Sequence, residues 1–228
     1  MRIKHIGINV QSNKYGLKIN RENYAIINRK PTLPKFNNSE EFFGVSSVYD
    51  GELYSEEWCK KHQELALENY DLSMAFFSKL DKHEFDNAIS SFLMEYPFCA
   101  VTDLNEYQCP GYYMMVLDEY KRIYIGTSVN IYNRIRQHWV NTKAFDRLLT
   151  SMVNVTTSIM SIDSFRALDT TRIYAYKTGD INMHEGEFMA SIDEKYLANR
   201  TCGSITLDSQ VFLDYASPIC HKVDLTNS

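Results

Sequence analysis

The chain lacks a long apolar segment. No uninterrupted apolar run approaches the length of about 20 residues that a membrane-spanning helix needs. Residues 1–5 lead into no apolar signal core. A mean hydropathy of −0.36 is ordinary for a globular protein, and 228 residues are enough to bury a core in one large or two small domains. We therefore expect a cytoplasmic protein without a membrane partner.

Cysteine never occurs in a recognisable pattern. The five cysteines are scattered, with no Cys-x-x-Cys pair and an odd total. Neither a zinc site nor a disulfide framework is indicated, so we expect reduced, structural cysteines. The sequence also contains no internal repeat and no low-complexity tract.

Excess positive charge is lacking as well. The net charge is −5, whereas neutralisation of phosphates dominates affinity for nucleic acids. The charge is segregated, however. Residues 121–148 contain six Lys and Arg against one acid, Asp146, while ten acids fall between residues 40 and 81. The basic region around residues 121–148 is therefore the main candidate for a contact with nucleic acid.

Residues 111–139 are typical of a strand, a turn, a strand and a helix. Residues 112–117 and 122–125 are aromatic and aliphatic runs separated by four polar residues, which predicts a hairpin. The hydroxyl of Thr127 or Ser128 is suited to cap the following helix. The apolar face of that helix repeats every four residues, at Ile131, Ile135 and Trp139.

Four polar side chains share this segment. Tyr113 and Tyr124 lie on the two strands, and Arg134 and His138, four residues apart, share another face of the helix. Taken singly, a tyrosine fits a half-buried strand and an arginine or histidine fits a helix surface. Their occurrence together makes the segment a candidate site.

The residues before this segment predict a small sheet and two helices. Two β-prone runs, residues 3–10 and 15–27, suggest a hairpin or small sheet. Residues 28–38 contain two prolines and predict a loop. Helices are predicted over residues 55–80 and 82–96, the second stopped by a proline.

The residues after it predict a further strand and a long helix. Strands are expected at residues 158–162 and 171–176. A helix is expected over residues 183–199, with Phe188, Ile192 and Tyr196 buried and Met189 alongside. The remaining predicted elements are a short helix at residues 145–149 and strands at residues 204–207 and 211–215.

The spacing of these residues resembles a known family, the GIY-YIG endonucleases. The matching positions, in chain order, are Gly111, Tyr112, Tyr113, Tyr124, Ile125, Gly126, Arg134 and His138. The first triplet of that family is usually Gly-Ile-Tyr, and only Tyr112 departs from it. The resemblance covers about residues 109–203. It implies an α+β fold, with a small, mainly antiparallel three-stranded sheet flanked by helices and an N-terminal extension of strands and helices.

The same resemblance implies a metal site. The family carries a helix-borne glutamate that holds a single divalent ion, followed by an asparagine about a dozen residues later. Glu187 and Asn199, twelve residues apart, match this spacing. Glu185 stays open as the ligand because helix starts are uncertain by a few residues, and Asn199 has a cap of its helix as an alternative role. The implied cofactor is Mg²⁺ or Mn²⁺.

The resemblance also implies chemical roles. In-line attack of water on a phosphodiester needs a base for the water and positive charge at the phosphate. Tyr113 is the candidate base, which requires a metal or guanidinium to favour its phenolate against an ordinary pKa of about 10. Arg134 would clamp the phosphate, and Tyr124 and His138 would orient the water or relay its proton. The residues expected to bind substrate are Gly126, Lys121, Arg122, Arg136 and Asn199.

The expected organisation has three parts. Residues 1–105 form an extension for recognition or dimerisation, residues 106–203 a nuclease domain, and residues 204–228 a C-terminal strand or arm. The expected function is a metal-dependent endonuclease acting on double-stranded DNA, in restriction or defence. The alternative is a catalytically inactive module of the same fold that binds nucleic acid or protein. The sequence leaves DNA against RNA, and monomer against homodimer, open.

Overall fold

The structure is a computed structural model. It describes residues 2–12, 16–24, 56–140, 160, 162–181 and 184–199. The elements predicted at residues 28–38, 145–149, 204–207 and 211–215 lie outside the described residues. The described part is an α+β structure with antiparallel sheets, as the sequence predicts.

The N-terminal strands form a two-stranded sheet of their own. Strand β1 (Arg2–His5) pairs antiparallel with β2 (Ile8–Gln11). Ile6 and Gly7 form the turn between them, with φ angles of 43° and 79°, as in a tight two-residue hairpin. The predicted small sheet is therefore present, but it forms within the first run, because the turn at Gly7 divides that run; the described residues 16–24 of the second run contain no strand.

A four-stranded antiparallel sheet organises the rest of the described chain. Its strands are β3 (Cys99–Ala100), β4 (Gly111–Leu117), β5 (Arg122–Ser128) and β6 (Arg172–Lys177). They lie in the order β3-β6-β4-β5. The predicted hairpin is confirmed, and so is the strand predicted at residues 171–176, to within one residue. The expected three strands gain a fourth, β3, whose two residues are too few to produce a sequence pattern. The predicted domain limits stay predictions.

The described α-helices are α1 (Arg21–Tyr24), α2 (Glu56–Lys79), α3 (Lys82–Glu95), α4 (Ile131–Val140) and α5 (Glu185–Ala190). The two helices predicted before the hairpin are confirmed to within one residue at each end. Asp81 caps α3 by accepting the N–H of Glu84 at 2.7 Å. Among the described residues, no helix is long and apolar enough to cross a membrane.

Helix α4 begins with a different cap from the one predicted. The Asn130 side-chain oxygen accepts the N–H of Asn133 at 2.9 Å. Ser128, one of the two predicted caps, accepts the N–H of Asn130 instead, at 3.0 Å, and Thr127 bonds the Ile181 carbonyl at 3.2 Å. The predicted apolar face is confirmed, because Ile131, Ile135 and Trp139 are all buried.

Alternate residues of β4 enter two separate cores. Tyr113 and Met115 join the core that α4 covers, and Tyr112 and Met114 join the core that α3 and α5 cover. All seven residues of β4 are buried, because both faces of the strand are covered. This alternation places Tyr113 on the side of α4.

The helix predicted over residues 183–199 is shorter than expected. Helix α5 ends at Ala190, and a 3₁₀ helix at Glu194–Tyr196 follows. Phe188, Ile192, Tyr196 and Met189 are buried as predicted. Two short helices, rather than one long helix, therefore bury these residues. The break between them occurs because Asp193 accepts the N–H of Lys195 at 3.0 Å and starts a new turn.

The chain after this turn runs back to the free edge of β5. The N–H of Ala198 donates to the carbonyl of Ile123 at 2.7 Å, and Leu197 forms a parallel bridge with Ile123. Of the strand predicted at residues 158–162, Ile162 instead begins a 3₁₀ helix, Ile162–Ser164.

Candidate active site

The two tyrosines of the motif lie side by side on one face of the hairpin. Tyr113 pairs in register with Gly126, and Tyr124 lies two residues earlier on β5. The two ring centroids are 6.1 Å apart. A Cβ atom at position 126 would lie 2.5 Å from the Tyr113 hydroxyl. Gly126, predicted to bind substrate, therefore makes room for Tyr113.

Helix α4 places His138 against both tyrosines. Its Nε2 atom lies 2.9 Å from the Tyr113 hydroxyl, and its ring meets that of Tyr124 edge-on at a centroid distance of 5.0 Å. His138 is only 2% exposed. The predicted convergence of these three side chains is present in the structure.

A carboxylate that the sequence did not indicate completes this cluster. Asp163 Oδ1 lies 2.7 Å from Nδ1 of His138, and Asp163 is 7% exposed. It belongs to the 3₁₀ helix Ile162–Ser164. No periodicity relates a residue of this turn to α4, so only the tertiary structure reveals the contact.

Arg134 forms the exposed side of the cluster. Its guanidinium interacts with the hydroxyls of both Tyr113 and Tyr124. The residue is exposed, whereas Tyr113 is fully buried and Tyr124 half-buried. A fixed positive charge therefore lies between the buried phenols and solvent, where a phosphate can reach it.

The phenols are held in their protonated form. Burial raises the pKa of Tyr113 well above its usual value, with a further contribution from Tyr124 and an opposing one from Arg134. Burial also raises the pKa of Tyr124, to about 12. In the protein alone, desolvation outweighs the attraction of Arg134, so the guanidinium by itself does not supply the phenolate that a base at Tyr113 requires.

Glu185, rather than Glu187, is the carboxylate at the cluster. It interacts with Arg134, and its charge acts on both Tyr113 and Tyr124. Burial raises the pKa of Glu185 to about 7, with Arg134 opposing the shift. A carboxyl group that is costly to ionise in a polar cluster is typical of a functional site.

Glu187 points to another part of the surface. Its carboxylate lies 3.1 Å from Nδ1 of His184, and its side chain is 58% exposed. Two residues along one helical turn differ by about 200° in direction, so Glu185 and Glu187 cannot both face the tyrosines. Of the two candidate ligands, Glu187, twelve residues before Asn199, therefore lies away from the tyrosines, and Glu185, fourteen residues before it, acts on them.

Lys121 and Arg122, both predicted to contact substrate, are engaged inside the protein. Lys121 Nζ donates to the carbonyl of Phe77 at 3.0 Å. Arg122 is 6% exposed and donates to the carbonyls of Lys195, at 2.6 Å, and Leu197. Burial lowers the pKa of Arg122 to about 9, which leaves it charged at neutral pH. Arg122 therefore links β5 to residues 195–197 by hydrogen bonds, and its buried guanidinium does not face solvent.

Of the other two predicted substrate contacts, Asn199 is buried and Arg136 is exposed. Asn199 is 2% exposed. It accepts the N–H of Ile125 at 3.0 Å and donates to the Ile125 carbonyl at 2.6 Å, so it extends the edge of β5 and caps no helix. Arg136 is exposed on α4, with its guanidinium on the ring of Tyr132.

Comparison of the chain with protein-family models, with curated proteins and with solved structures finds no match. Within the described ranges, no group of three or more His, Cys, Asp and Glu side chains is placed to hold a metal ion. Any functional assignment therefore depends on the geometry of the cluster and on the resemblance of its motif.

Proposed function

We propose that this protein is a metal-dependent endonuclease of the GIY-YIG type, which hydrolyses phosphodiester bonds of double-stranded DNA. The observation that carries the proposal is the convergence of Tyr113, Tyr124, Arg134, His138 and Glu185, which come from two strands and two helices. By the same resemblance, restriction or defence is the cellular setting that we propose.

Arg134 binds the scissile phosphate. Its planar guanidinium cannot lose its proton and matches two phosphate oxygens. In the protein alone it interacts with the hydroxyls of Tyr113 and Tyr124. Because Arg134 is the exposed member of the cluster, its movement onto a phosphate uncovers the Tyr113 hydroxyl for one water molecule.

Glu185 is the residue that fits a divalent cation. Its carboxylate is half-buried, and no hydrogen bond to another described residue occupies it. One carboxylate with water molecules is a usual environment for Mg²⁺. A bound cation supplies positive charge for the phosphate oxygens and for the leaving 3′ oxygen. The ionised carboxylate, which burial disfavours, gains a partner in this arrangement.

Tyr113 and His138 take the proton from the attacking water. Because the pKa of Tyr113 is raised by burial, the phenol does not act as a preformed base. The water instead gives a proton to the Tyr113 oxygen while the Tyr113 proton passes to Nε2 of His138, 2.9 Å away. The new bond joins the water oxygen to phosphorus, the bond from phosphorus to the 3′ oxygen breaks, and solvent protonates that oxygen.

The test uses the full chain with supercoiled plasmid, single-stranded DNA and RNA, with Mg²⁺, Mn²⁺ or a chelator. We expect the wild type to cut plasmid DNA only with a divalent ion. Glu185→Gln and Arg134→Ala should each slow cleavage by at least about 10²-fold, the usual effect of removing such a group. Glu187→Gln is the matched control and should retain activity. Absence of cleavage by the wild type under every condition would refute the proposal.

The second candidate is a binding module without catalysis. The complete burial of Tyr113 favours it, since no solvent reaches that hydroxyl in the protein alone. The two candidates predict different results for the wild type. If the protein is a binding module, the wild type retains DNA in a filter assay but leaves every substrate intact. An enzyme loses cleavage but keeps binding when Glu185 is replaced by Gln.

A further inference from the structure

We propose that Asp163 is a positioning residue that fixes His138 in the tautomer able to accept a hydrogen bond from Tyr113. This inference deepens the proposed function and rests on it for its catalytic meaning. The hydrogen-bonded chain runs from the Tyr113 hydroxyl through Nε2 and Nδ1 of His138 to Oδ1 of Asp163, with distances of 2.9 Å and 2.7 Å.

The direction of the chain follows from the donors and acceptors. An ionised carboxylate only accepts hydrogen bonds, so the proton between Asp163 and His138 is on Nδ1. In a neutral imidazole the other nitrogen then accepts. The Tyr113 hydroxyl therefore donates to Nε2, which is the orientation in which its proton can move to His138.

The surroundings hold Asp163 firmly in this position. It lies in the 3₁₀ helix Ile162–Ser164, closed by the N–H of Phe165 on the Ile162 carbonyl at 3.2 Å. The Arg166 side chain donates to the backbone carbonyl of Asp163 at 3.0 Å. These hydrogen bonds fix the backbone from which the carboxylate reaches the imidazole.

The carboxylate also makes the proton transfer easier. When the Tyr113 proton reaches Nε2, His138 becomes an imidazolium, and the adjacent negative charge of Asp163 stabilises it. Without this carboxylate, a neutral His138 can carry its proton on Nε2 and donate to Tyr113 instead. That arrangement blocks the transfer, since the histidine then has no free electron pair facing the phenol.

The first test is nitrogen NMR of the metal-free protein, which reports the protonated nitrogen of a histidine directly. The protein has six histidines, and the His138→Gln spectrum assigns the signal. We expect Nδ1 to carry the proton in the wild type and Nε2 to carry it in Asp163→Asn, whose amide can donate to Nδ1. A wild-type His138 protonated on Nε2 overturns the inference, whatever Asp163→Asn does.

Asp169→Asn is the matched control. Asp169 is also a buried carboxylate of this segment, but it accepts from the Tyr120 hydroxyl, at 2.8 Å, and not from a histidine. We expect its replacement to leave the tautomer of His138 unchanged. A change of tautomer in this variant would show that the loss of any buried negative charge nearby alters His138. It would contradict a specific role of Asp163 in fixing the tautomer.

The second test measures cleavage. Asp163→Asn should lower kcat by about 10²–10⁴-fold, the range for a misdirected general base, with little change in KM. Asp163→Glu should recover part of the loss. If the tautomers are as expected but the wild type cuts no nucleic acid, the proposed function fails and the positioning role stands. If Asp163→Asn changes the tautomer but cleaves as fast as the wild type, Asp163 has no role in the reaction.

Discussion

The Glu185 side chain contributes less to the stability of the metal-free protein in neutral solution than in acid. Burial raises the pKa of Glu185 from 4.5 to about 7. Because the folded-state pKa exceeds the unfolded one, the stabilising contribution is present in acid and is lost as the pH rises from about 4.5 through about 7. A side chain that reduces stability in this way is expected where function requires a charge.

Replacement of Glu185 by Gln should therefore stabilise the metal-free protein at high pH. We expect a gain of about 2 kcal/mol in the free energy of unfolding near pH 8, and almost none near pH 4, in urea titrations with a chelator present. Glu187→Gln, on an exposed side chain, should follow the wild type at both pH values. Parallel pH curves for Glu185→Gln and the wild type would contradict the buried position of Glu185.

Gly126 provides a second prediction for a single residue. In Gly126→Ala the new Cβ would lie 2.5 Å from the Tyr113 hydroxyl, so the buried ring has to shift. We expect a loss of about 1–3 kcal/mol in stability, measured by urea unfolding, and loss of cleavage because Tyr113 is displaced. Gly179→Ala is the control, since a Cβ there meets nothing within 4 Å. Equal behaviour of the two variants would show that Tyr113 is not packed across β5.

The residues of the site differ in how far the sequence predicts them. Tyr113, Tyr124, Arg134 and His138 lie within one hairpin and one helix, whose periods fix which side chains face each other. To predict the position of Glu185, the exact start of its helix is needed, and a sequence pattern defines that start only to within a few residues. Asp163 was not predicted, because its contact with His138 depends on tertiary packing alone.

The strand edge of β5 is completed by a side chain rather than by a strand. Asn199 makes both hydrogen bonds to Ile125 that a neighbouring strand would make. The sequence predicted a single helix over this region because Phe188, Ile192 and Tyr196 repeat every four residues. The repeat reports burial correctly, but it cannot reveal that Asp193 starts a new turn and that the chain then returns to the sheet.

Replacement of Asn199 by Ala should weaken this edge without touching substrate. Both backbone groups of Ile125 are left unpaired in a buried place, which costs about 1–3 kcal/mol. Urea unfolding and hydrogen exchange at the Ile125 amide measure the effect. The affinity for DNA should not change, with Asn105→Ala, at an exposed amide, as the control. A loss of DNA affinity in folded Asn199→Ala would restore its predicted role in binding.

The whole molecule carries a net charge of −5, so the proposed binding to DNA requires a few local cations. Of the four basic residues of the motif, Lys121 and Arg122 are engaged with carbonyl groups. Arg134 and Arg136 remain exposed on α4. Each phosphate contact contributes about −0.9 to the slope of log affinity against log salt concentration.

The salt dependence of DNA affinity therefore distinguishes an arginine that contacts phosphates at the surface from a buried arginine. We expect Arg136→Ala to make the slope shallower by about 0.9, measured by titrating a catalytically inactive Glu185→Gln background with labelled duplex at several salt concentrations. Arg122→Met should leave the slope unchanged while lowering stability, because its guanidinium pairs with carbonyls of residues 195 and 197. Only a cation that reaches the phosphates releases their counterions. A slope that changes in Arg122→Met but not in Arg136→Ala would therefore show that Arg122, and not Arg136, contacts the phosphates.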